Sequence, residues 1–414
     1  MKPFSLLVKP ASGLCNIDCR YCFYKRALSL YPEGEYTRKM SLETAENMIR
    51  KFFQLKFPAV SICFQGGEPL LMGLEFYHKI IDYERKYGFP GQSAGNSFQT
   101  NGTLITDEWA RFFKQYNMLV GLSLDGNEQV HDHYRVNYAG KGTFKKVMNA
   151  VDILRRNDVE FNVLSMMTAY SVENVKQTYA FFKRNGLKHL QFIPCLEMMP
   201  GTAEPADFSI TGRQYGEFHK ALFDLWYEDG YPYVSIRMFD DILAWMIDGV
   251  HNSCCFQTAC NSYFLVEHSG DVYPCDFFAF DDWKIGNINT DEFPSLVTHK
   301  TRANFAAMKT TAVAECRNCE FLPLCNADCT RFRIFGAKPA GTLSCMCPGF
   351  KDFLSYTKPR FDEIRQDVLK RRERLQKQSS QPQTPLHIPK DYPRNAPCPC
   401  GSQKKYKKCH GKNT

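Results

Sequence analysis

The chain has 414 residues, of which 44% are hydrophobic and 23% are charged, and its formal net charge is +8 at pH 7. This length is too great for one compact domain, so we expect a large core with one or two smaller modules. The composition excludes a wholly disordered or collagen-like chain, and no run of about 18 apolar residues is present to span a membrane. Because residues 4–8 are too short for the apolar part of a signal peptide, we expect a cytoplasmic protein.

The positive charge is concentrated at one end of the chain. Residues 358–414 contain 15 Lys and Arg against 5 Asp and Glu, a net charge of +10, and the rest of the chain carries −2. A basic segment of this kind indicates either a polyanion or membrane-surface partner or simply a solvated helix and linker. Charge alone favours the second interpretation.

Six short β-rich segments precede residue 200, at 5–9, 60–65, 96–100, 119–124, 161–167 and 189–194. Helical patterns alternate with them, at 41–55, 74–87, 107–116, 143–157 and 172–185. This alternation predicts an α/β fold with a parallel sheet covered by helices, and six units predict an open, partial β/α barrel. A ligand site is expected at the carboxyl ends of the strands, where the candidate functional groups lie.

The remaining chain divides by composition. A helix at 212–228 and a strand-like segment at 233–239 close the first predicted domain, 1–235. Residues 236–357 form a Cys-rich second domain, 358–378 a basic helix that begins at Pro359, 379–396 a proline-rich linker, and 397–414 a compact basic module.

Eighteen cysteines are present, and most of them occur in groups. In a reducing cytosol disulfides explain such a number poorly, and metal or cluster ligation explains it well. Grouping is what a polynuclear site requires, because its thiolates must converge on one point.

The first group, Cys15-x3-Cys19-x2-Cys22, lies in the loop after the first predicted strand. Three thiolates on a short loop can bind three irons of a 4Fe–4S cluster and leave the fourth iron open for a ligand. The alternative is a zinc site that lacks one ligand, which the spacing fits poorly. The motif resembles the three-Cys loop of the radical S-adenosylmethionine superfamily, and this implies that the open iron binds S-adenosylmethionine.

A second motif, Gly66-Gly67-Glu68, follows the next predicted strand. Glycines let the backbone approach a ligand closely, and a carboxylate can balance an ammonium group. The resemblance implies that Gly66 and Glu68 meet the methionine amino group of the cofactor, although Glu68 alone would be read as a solvated surface acid. It implies further cofactor contacts, each with packing as an equal alternative, at Tyr21, Ser123, Arg135 and Leu196.

The middle cysteines supply eight ligands, the number needed by two fully ligated 4Fe–4S clusters that carry electrons. Two four-thiolate zinc sites are the alternative. The pattern resembles the twin-cluster SPASM domain of peptide-modifying radical enzymes, which implies interleaved ligand sets. One set is Cys254, Cys260, Cys275 and Cys329, the other is Cys316, Cys319, Cys325 and Cys347, and the neighbours that could replace a ligand are Cys255 and Cys345.

Longer segments are similar to the anaerobic sulfatase-maturating enzymes, at 7–12, 64–69, 99–104, 120–126 and 272–277. The resemblance implies oxidation of a Cys or Ser residue of an unfolded sulfatase to Cα-formylglycine through a 5′-deoxyadenosyl radical. It implies that Asp276 is the general base for the side-chain proton, where a turn-capping role is the alternative. It also implies a one-electron reductant such as flavodoxin or ferredoxin.

The terminal module has the composition of a closed structural zinc site, with Cys398, Cys400, Cys409 and His410 as ligands. Because the module is too short for a core, metal binding must supply its folding energy. It resembles the SEC-C zinc motif, which suggests docking to a partner, and we expect that partner in the export or translation machinery.

Two other functions stay open at this stage. One is another SPASM-type radical modification that forms a thioether or carbon–carbon crosslink in a peptide. The other is a non-enzymatic metal-binding protein that docks partners through its tail.

Overall fold

The computed structural model describes residues 1–25, 38–199, 202, 204–230, 233–310, 313–335, 342–380, 391–400 and 402–412. These residues form two compact units, Met1–Lys358 and Pro359–Thr414. Most of the predicted linker, residues 381–390, lies outside the described residues. No helix in the described part of the chain is long and apolar enough to cross a membrane.

One mixed sheet forms the centre of the first unit. Its strands are β1 (Ser5–Lys9), β2 (Ala59–Phe64), β3 (Ser93–Thr100), β4 (Leu119–Ser123), β5 (Phe161–Met167), β6 (His189–Pro194), β7 (Ser235–Ile236), β8 (Tyr263–Glu267), β9 (Asp271–Tyr273) and β10 (Gly286–Asn287). They lie in the order β10-β9-β8-β1-β2-β3-β4-β5-β6-β7. Because β1 to β6 pair in parallel and in chain order, the predicted partial barrel is confirmed.

The sheet extends beyond the six predicted strands at both edges. Strand β7 adds to β6, and β8 adds in parallel to β1, with Leu6 paired to Phe264. The side chains of Leu6, Ile62 and Phe264 are fully or almost fully buried, so this part of the sheet belongs to the core. Since β8 comes from the Cys-rich segment, one sheet joins the two predicted domains 1–235 and 236–357.

Helices cover the sheet and carry most of the remaining apolar core. They are α1 (Leu42–Phe53), α2 (Leu74–Tyr87), α3 (Asp107–Gln115), α4 (Glu128–Asp132), α5 (Phe144–Arg156), α6 (Ala169–Val172), α7 (Val175–Arg184), α8 (Gly212–Glu228), α9 (Arg237–Asp248), α10 (Phe293–Thr298), α11 (Lys300–Thr310), α12 (Ala314–Arg317), α13 (Leu322–Cys325), α14 (Thr330–Ile334) and α15 (Cys347–Ser380).

Local sequence explains where the covering helices begin. Ser41 caps α1 by accepting a hydrogen bond from the Thr44 amide at 3.0 Å, as the sequence predicts. Thr106 caps α3 in the same way through the amide of Trp109. An N-cap of this kind satisfies an amide that the helix itself leaves without an acceptor.

The strand-like segment predicted at 233–239 is wrong in its second half. The strand comprises Ser235–Ile236 alone, and α9 begins at Arg237. Phe239 and Ile242 are both buried, and a spacing of three residues puts two side chains on one face of a helix. The burial of that face therefore overrides the short β-like pattern.

The basic helix also begins earlier than predicted. Helix α15 starts at Cys347 and contains Pro359 in its interior. A helix that began at Pro359, as predicted, would have this proline in its first turn, the position that proline prefers. Instead, the buried side chains of Phe350, Phe353 and Leu354 supply an apolar helical face on the N-terminal side of the proline.

Candidate active site and cysteine clusters

A cavity of about 880 Å³ opens at the carboxyl ends of the parallel strands. The loops after β1, β2, β3, β4 and β6 all contribute to its wall, as expected for an open α/β sheet. The predicted site residues that line the cavity are Cys15, Cys19, Tyr21, Cys22, Gly66, Ser123, Arg135, Leu196 and Asp276.

The three-Cys loop is held against the glycine turn by backbone hydrogen bonds. The amide of Gly67 donates to the Ser12 carbonyl at 2.7 Å, and the amide of Glu68 donates to the Leu14 carbonyl at 2.8 Å. Gly66 has φ +124°, and a Cβ atom on Gly67 would lie 2.1 Å from the Leu14 carbonyl oxygen. Only glycine fits this close approach, so the turn places bare backbone at the cavity wall.

The three thiols of the loop lie in one partly buried cluster together with Tyr21 and Tyr134. Burial raises the pKa of Cys15 to about 12 and that of Cys19 to about 11, and neighbouring thiols add to both increases. Thiolates that repel one another in a poorly solvated pocket are stabilised by a shared cation, so this donor set fits iron. The site therefore fits a cluster held by three cysteines.

The Glu68 carboxylate is fully buried, contrary to its reading as a solvated acid. It accepts hydrogen bonds from the amides of Leu70 and Asn101, at 3.0 and 2.8 Å, and from the hydroxyl of Thr100 at 2.8 Å. Burial raises its pKa to about 7 against these donors. Its carboxylate thus joins the turn after β2 to the turn after β3, and its predicted contact with a methionine amino group stays a prediction.

Asp125, in the loop after β4, connects three parts of the chain around the cavity. Its carboxylate accepts from the Tyr21 hydroxyl at 2.5 Å, from Arg135 Nε at 3.0 Å and from the Met166 amide at 3.0 Å. Arg135 in turn lies 3.9 Å from the Cys19 sulfur. The structure therefore brings the predicted residues Tyr21 and Arg135 together through Asp125, which lies in the segment 120–126 noted in the sequence but was given no role there.

The other two predicted cofactor contacts line the same cavity. Ser123 accepts a hydrogen bond from Gln99 at 3.0 Å. Leu196 is buried, and its carbonyl oxygen accepts from Arg331, which also forms an ion pair with Glu197. Both contacts with a cofactor stay predictions, while the positions of the side chains on the cavity wall are as expected.

Asp276 follows Cys275 and faces the cavity from the Cys-rich segment. Its Oδ1 accepts from the Tyr263 hydroxyl at 3.0 Å, and its Oδ2 accepts from the side-chain amide of Gln65 at 3.2 Å. The Tyr263 hydroxyl also lies 3.1 Å from the Cys275 sulfur. No motif in the sequence predicts a role for Tyr263. Gln65, by contrast, directly precedes the Gly66-Gly67-Glu68 motif.

Four cysteines from distant segments influence one another electrostatically, and we term them the first auxiliary set. Burial, Asp328 and the thiols of Cys254 and Cys260 together raise the pKa of Cys329 to about 12. Burial and then Asp276 raise the pKa of Cys275, and Cys329 adds to the effect. The members are Cys254, Cys260, Cys275 and Cys329.

Four more cysteines form the second auxiliary set. Burial raises the pKa of Cys347 to about 11, and Cys316 and Cys319 contribute to the increase. The pKa of Cys325 is raised by burial and, less strongly, by Cys347 and Cys316. The members are Cys316, Cys319, Cys325 and Cys347.

The two spare cysteines have different surroundings. Cys255 is half-buried, and its pKa is raised by burial first and then by groups that include Cys254 and Cys329, so it lies near the first auxiliary set. The amide of Cys345 donates to the Phe332 carbonyl at 3.0 Å. Both remain neighbours of ligands, and the assignment of the sets stays a prediction.

In the second unit, the four predicted tail ligands converge. One donor atom from each of Cys398, Cys400, Cys409 and His410 lies within 4.8 Å of the others. The sulfur atoms of Cys398 and Cys409 each lie 3.3 Å from His410 Nδ1. Hydrogen bonds from Ser402 and then Cys398 lower the pKa of Cys400 to about 6, so a thiolate is available at neutral pH. This donor set fits a closed zinc site.

Three family profiles match the chain. The Radical SAM superfamily profile matches residues 10–184, the iron–sulfur cluster-binding SPASM domain profile matches 254–320, and the SEC-C motif profile matches 394–412. With the partial barrel and the three-Cys site, these matches define the class of the protein, a radical S-adenosylmethionine enzyme with an iron–sulfur SPASM domain.

Individual relatives narrow the class. The cysteine-type anaerobic sulfatase-maturating enzyme of Clostridium novyi is 37% identical over 355 residues, which cover 85% of this chain and 95% of the relative. The serine-type enzyme of Bacteroides thetaiotaomicron is 33% identical over 386 residues, which cover 89% of this chain and 92% of the relative. The solved structure of native anSMEcpe with bound AdoMet and Cp18Cys peptide has a TM-score of 0.82 and 36% identity, and covers 88% of this chain and 100% of that chain. This chain belongs to the anaerobic sulfatase-maturating enzyme family.

Proposed function

We propose that this chain oxidises a Cys or Ser residue of an unfolded sulfatase polypeptide to Cα-formylglycine, independently of oxygen. The observation that carries the proposal is that the three-Cys loop, the glycine turn and Asp276 face one cavity of about 880 Å³. The names of the cysteine-type and serine-type relatives support the substrate class. The anSMEcpe structure with AdoMet and a peptide supports a cavity that serves both cofactor and substrate.

The chain would hold its cofactors with residues already in place. Cys15, Cys19 and Cys22 would bind a 4Fe–4S cluster, and S-adenosylmethionine would lie along a wall formed by Tyr21, Gly66, Ser123, Arg135 and Leu196. The predicted contact of Glu68 would be made from its buried position behind the glycine turn. When bound, these cofactors would supply the 5′-deoxyadenosyl radical chemistry that removes a Cβ hydrogen, and the auxiliary clusters would take up the remaining electron. Two further 4Fe–4S clusters are assigned to the first and second auxiliary sets.

Asp276 would take the proton that leaves the substrate thiol or hydroxyl. The donors Tyr263 and Gln65 orient its two oxygens, and each carboxylate oxygen keeps a lone pair for the incoming proton. One hydrogen atom, one proton and one electron leave the substrate side chain, which completes a two-electron oxidation. With serine this gives the aldehyde directly; with cysteine it gives a thioaldehyde, which water hydrolyses to the aldehyde with release of sulfide.

The decisive experiment uses the reconstituted protein, reduced by flavodoxin or ferredoxin, with S-adenosylmethionine and a sulfatase-motif peptide. We expect 5′-deoxyadenosine together with a peptide that has lost sulfur if its target is Cys, or two hydrogens if its target is Ser. A matched peptide with Ala at the target position is the control and should stay unchanged. A Cys peptide that loses only hydrogens indicates crosslinking instead, and absence of 5′-deoxyadenosine refutes the enzymatic proposal.

We also propose that Cys398, Cys400, Cys409 and His410 bind Zn²⁺ in a tail that docks a partner. Exposed lysines at 404, 405, 407 and 408 give the described part of this tail a basic surface. Such a surface suits an acidic partner in the export or translation machinery. Cytoplasmic action fits this partner, because the target residue must be reached before the sulfatase folds or is exported.

Deleting residues 380–414 tests the role of the tail. We expect the truncated enzyme to keep 5′-deoxyadenosine formation and peptide oxidation but to bind a large partner less well, as measured by pull-down at low and high salt. Loss of iron or of peptide oxidation in the truncated enzyme would show that the tail belongs to the catalytic fold.

A further inference from the structure

A buried lysine lies between the two auxiliary sets. Lys309, in α11, is 2% exposed, and its Nζ donates to the carbonyl oxygens of Cys255 and Asp328, each at 2.7 Å. Cys255 adjoins Cys254 of the first set, and Asp328 stands between a ligand of each set in the sequence. Lysine is rarely buried to this extent, because desolvating an ammonium group is costly. Its position therefore calls for a role that needs a cation.

The backbone beside Lys309 adopts an unusual conformation. Asn326, Ala327 and Asp328 have φ values of 47°, 62° and 63°, three consecutive non-glycine residues in the left-handed region. Residues other than glycine disfavour this region, and such conformations persist where surrounding contacts impose them. This left-handed turn connects Cys325 of the second set to Cys329 of the first.

Side chains hold the left-handed turn in place. The side-chain amide of Asn326 donates to the Phe256 carbonyl at 2.7 Å. The Asp328 carboxylate accepts from the Cys329 amide at 2.6 Å and from the Ser344 hydroxyl at 2.6 Å. The turn thus presents a carbonyl to Lys309 and buries a carboxylate beside it.

Both charges lie next to residues of the auxiliary sets. The Lys309 ammonium donates to the carbonyl of Cys255, which adjoins Cys254 of the first set. The Asp328 carboxylate accepts from the amide of Cys329 of the first set, and the Asp328 amide donates to the carbonyl of Cys325 of the second set at 3.0 Å. Both charges therefore lie beside the turn that joins the two sets.

We propose that the Lys309 ammonium and the Asp328 carboxylate, two buried and opposite charges beside the turn that joins the auxiliary sets, together set the reduction potentials of the two auxiliary clusters. This inference rests on the cluster assignment made above. A nearby cation stabilises the reduced, more negative form of a cluster and raises its potential, whereas a nearby anion lowers it. Lys309 and Asp328 are accordingly positioning residues for the clusters, and neither lines the cavity.

Potentiometric EPR titration of the reconstituted full-length protein tests the pair. The signal of the cluster on the three-Cys loop is recognised by its change when S-adenosylmethionine is added, and the remaining signals belong to the auxiliary clusters. In Lys309→Gln, which keeps N–H donors for both carbonyls but removes the charge, we expect lower auxiliary potentials. In Asp328→Asn we expect higher ones. Lys300→Gln, at an exposed position of the same helix, is the control and should leave them unchanged.

Shifts of the auxiliary potentials in opposite directions in the two variants support the proposal, because residues with a purely structural role give no reason for shifts of opposite sign. Unchanged potentials, or shifts in the same direction, overturn it. If Lys309→Gln loses auxiliary iron, Asp328→Asn decides, and a potential that does not rise refutes the proposal. Wild-type protein with only about four irons and no auxiliary signal overturns the cluster assignment itself and the inference with it.

Discussion

Replacing Asp125 by asparagine removes one charge from the wall of the cavity and leaves the shape of the side chain almost unchanged. The carboxylate has three donors, the Tyr21 hydroxyl, Arg135 Nε and the Met166 amide. An amide oxygen can still accept from Met166, but an amide NH₂ facing Arg135 would oppose a donor with a donor. The Arg135 side chain is only 9% exposed, so its cation would be left in the interior without its counter-ion.

Breaking a buried ion pair by removing one partner costs about 3–5 kcal/mol. We therefore expect the free energy of unfolding of Asp125→Asn to fall by about this amount, as measured by anaerobic urea denaturation followed by tryptophan fluorescence. Because Arg135 and Tyr21 are predicted cofactor contacts, the dissociation constant for S-adenosylmethionine should also rise, as measured by calorimetry on the reconstituted protein.

Asp107 supplies a matched control. It forms an ion pair with Arg156 in which both side chains are about half exposed. Exposed pairs contribute little to stability, so Asp107→Asn should change stability far less than Asp125→Asn and leave cofactor affinity unchanged. If the two variants unfold alike, the Asp125 network is not the anchor of the cavity wall that its geometry indicates.

Three further changes test other parts of the molecule. Alanine at all three positions of the three-Cys loop should abolish cleavage of S-adenosylmethionine and leave about eight irons per chain, since the auxiliary sets have separate ligands; full cleavage activity would contradict the site. Asp276→Asn should retain iron but reduce peptide oxidation by at least about 10²-fold, because an amide cannot take the proton, and unchanged turnover would leave Asp276 a turn-capping role. Burial raises the pKa of Glu84 from 4.5 to about 7, so the folded state binds this proton more tightly than the unfolded state does. The stability that this proton contributes is present below about pH 4.5 and is lost as the pH rises to about 7, a loss of about 3 kcal/mol in the free energy of unfolding. Glu84→Gln should abolish this pH dependence, as measured by urea unfolding curves across the same range.

Much of this protein follows from short-range patterns in its sequence. The alternation of strands and helices predicted the parallel partial barrel, because side-chain periodicity reports the local backbone conformation. The spacing of Cys15, Cys19 and Cys22 placed three thiols on one loop after the first strand. Since parallel strands end at the same edge, the order of the motifs also predicted that Cys15, Gly66 and Ser123 would face one cavity, whereas Asp276 was assigned by the family resemblance alone.

Only the tertiary structure decided which distant residues meet. The hydrogen bond between Tyr21 and Asp125 joins residues 104 positions apart, and no local sequence pattern predicts this contact. Glu68 resembles a solvated acid in the sequence, yet its turn buries it beneath two neighbouring loops. Lys309 likewise became an internal cation because packing brought α11 against the turn before Cys329. Local periodicity determines the elements, but contacts between elements depend on how their faces fit, which a linear spacing does not encode.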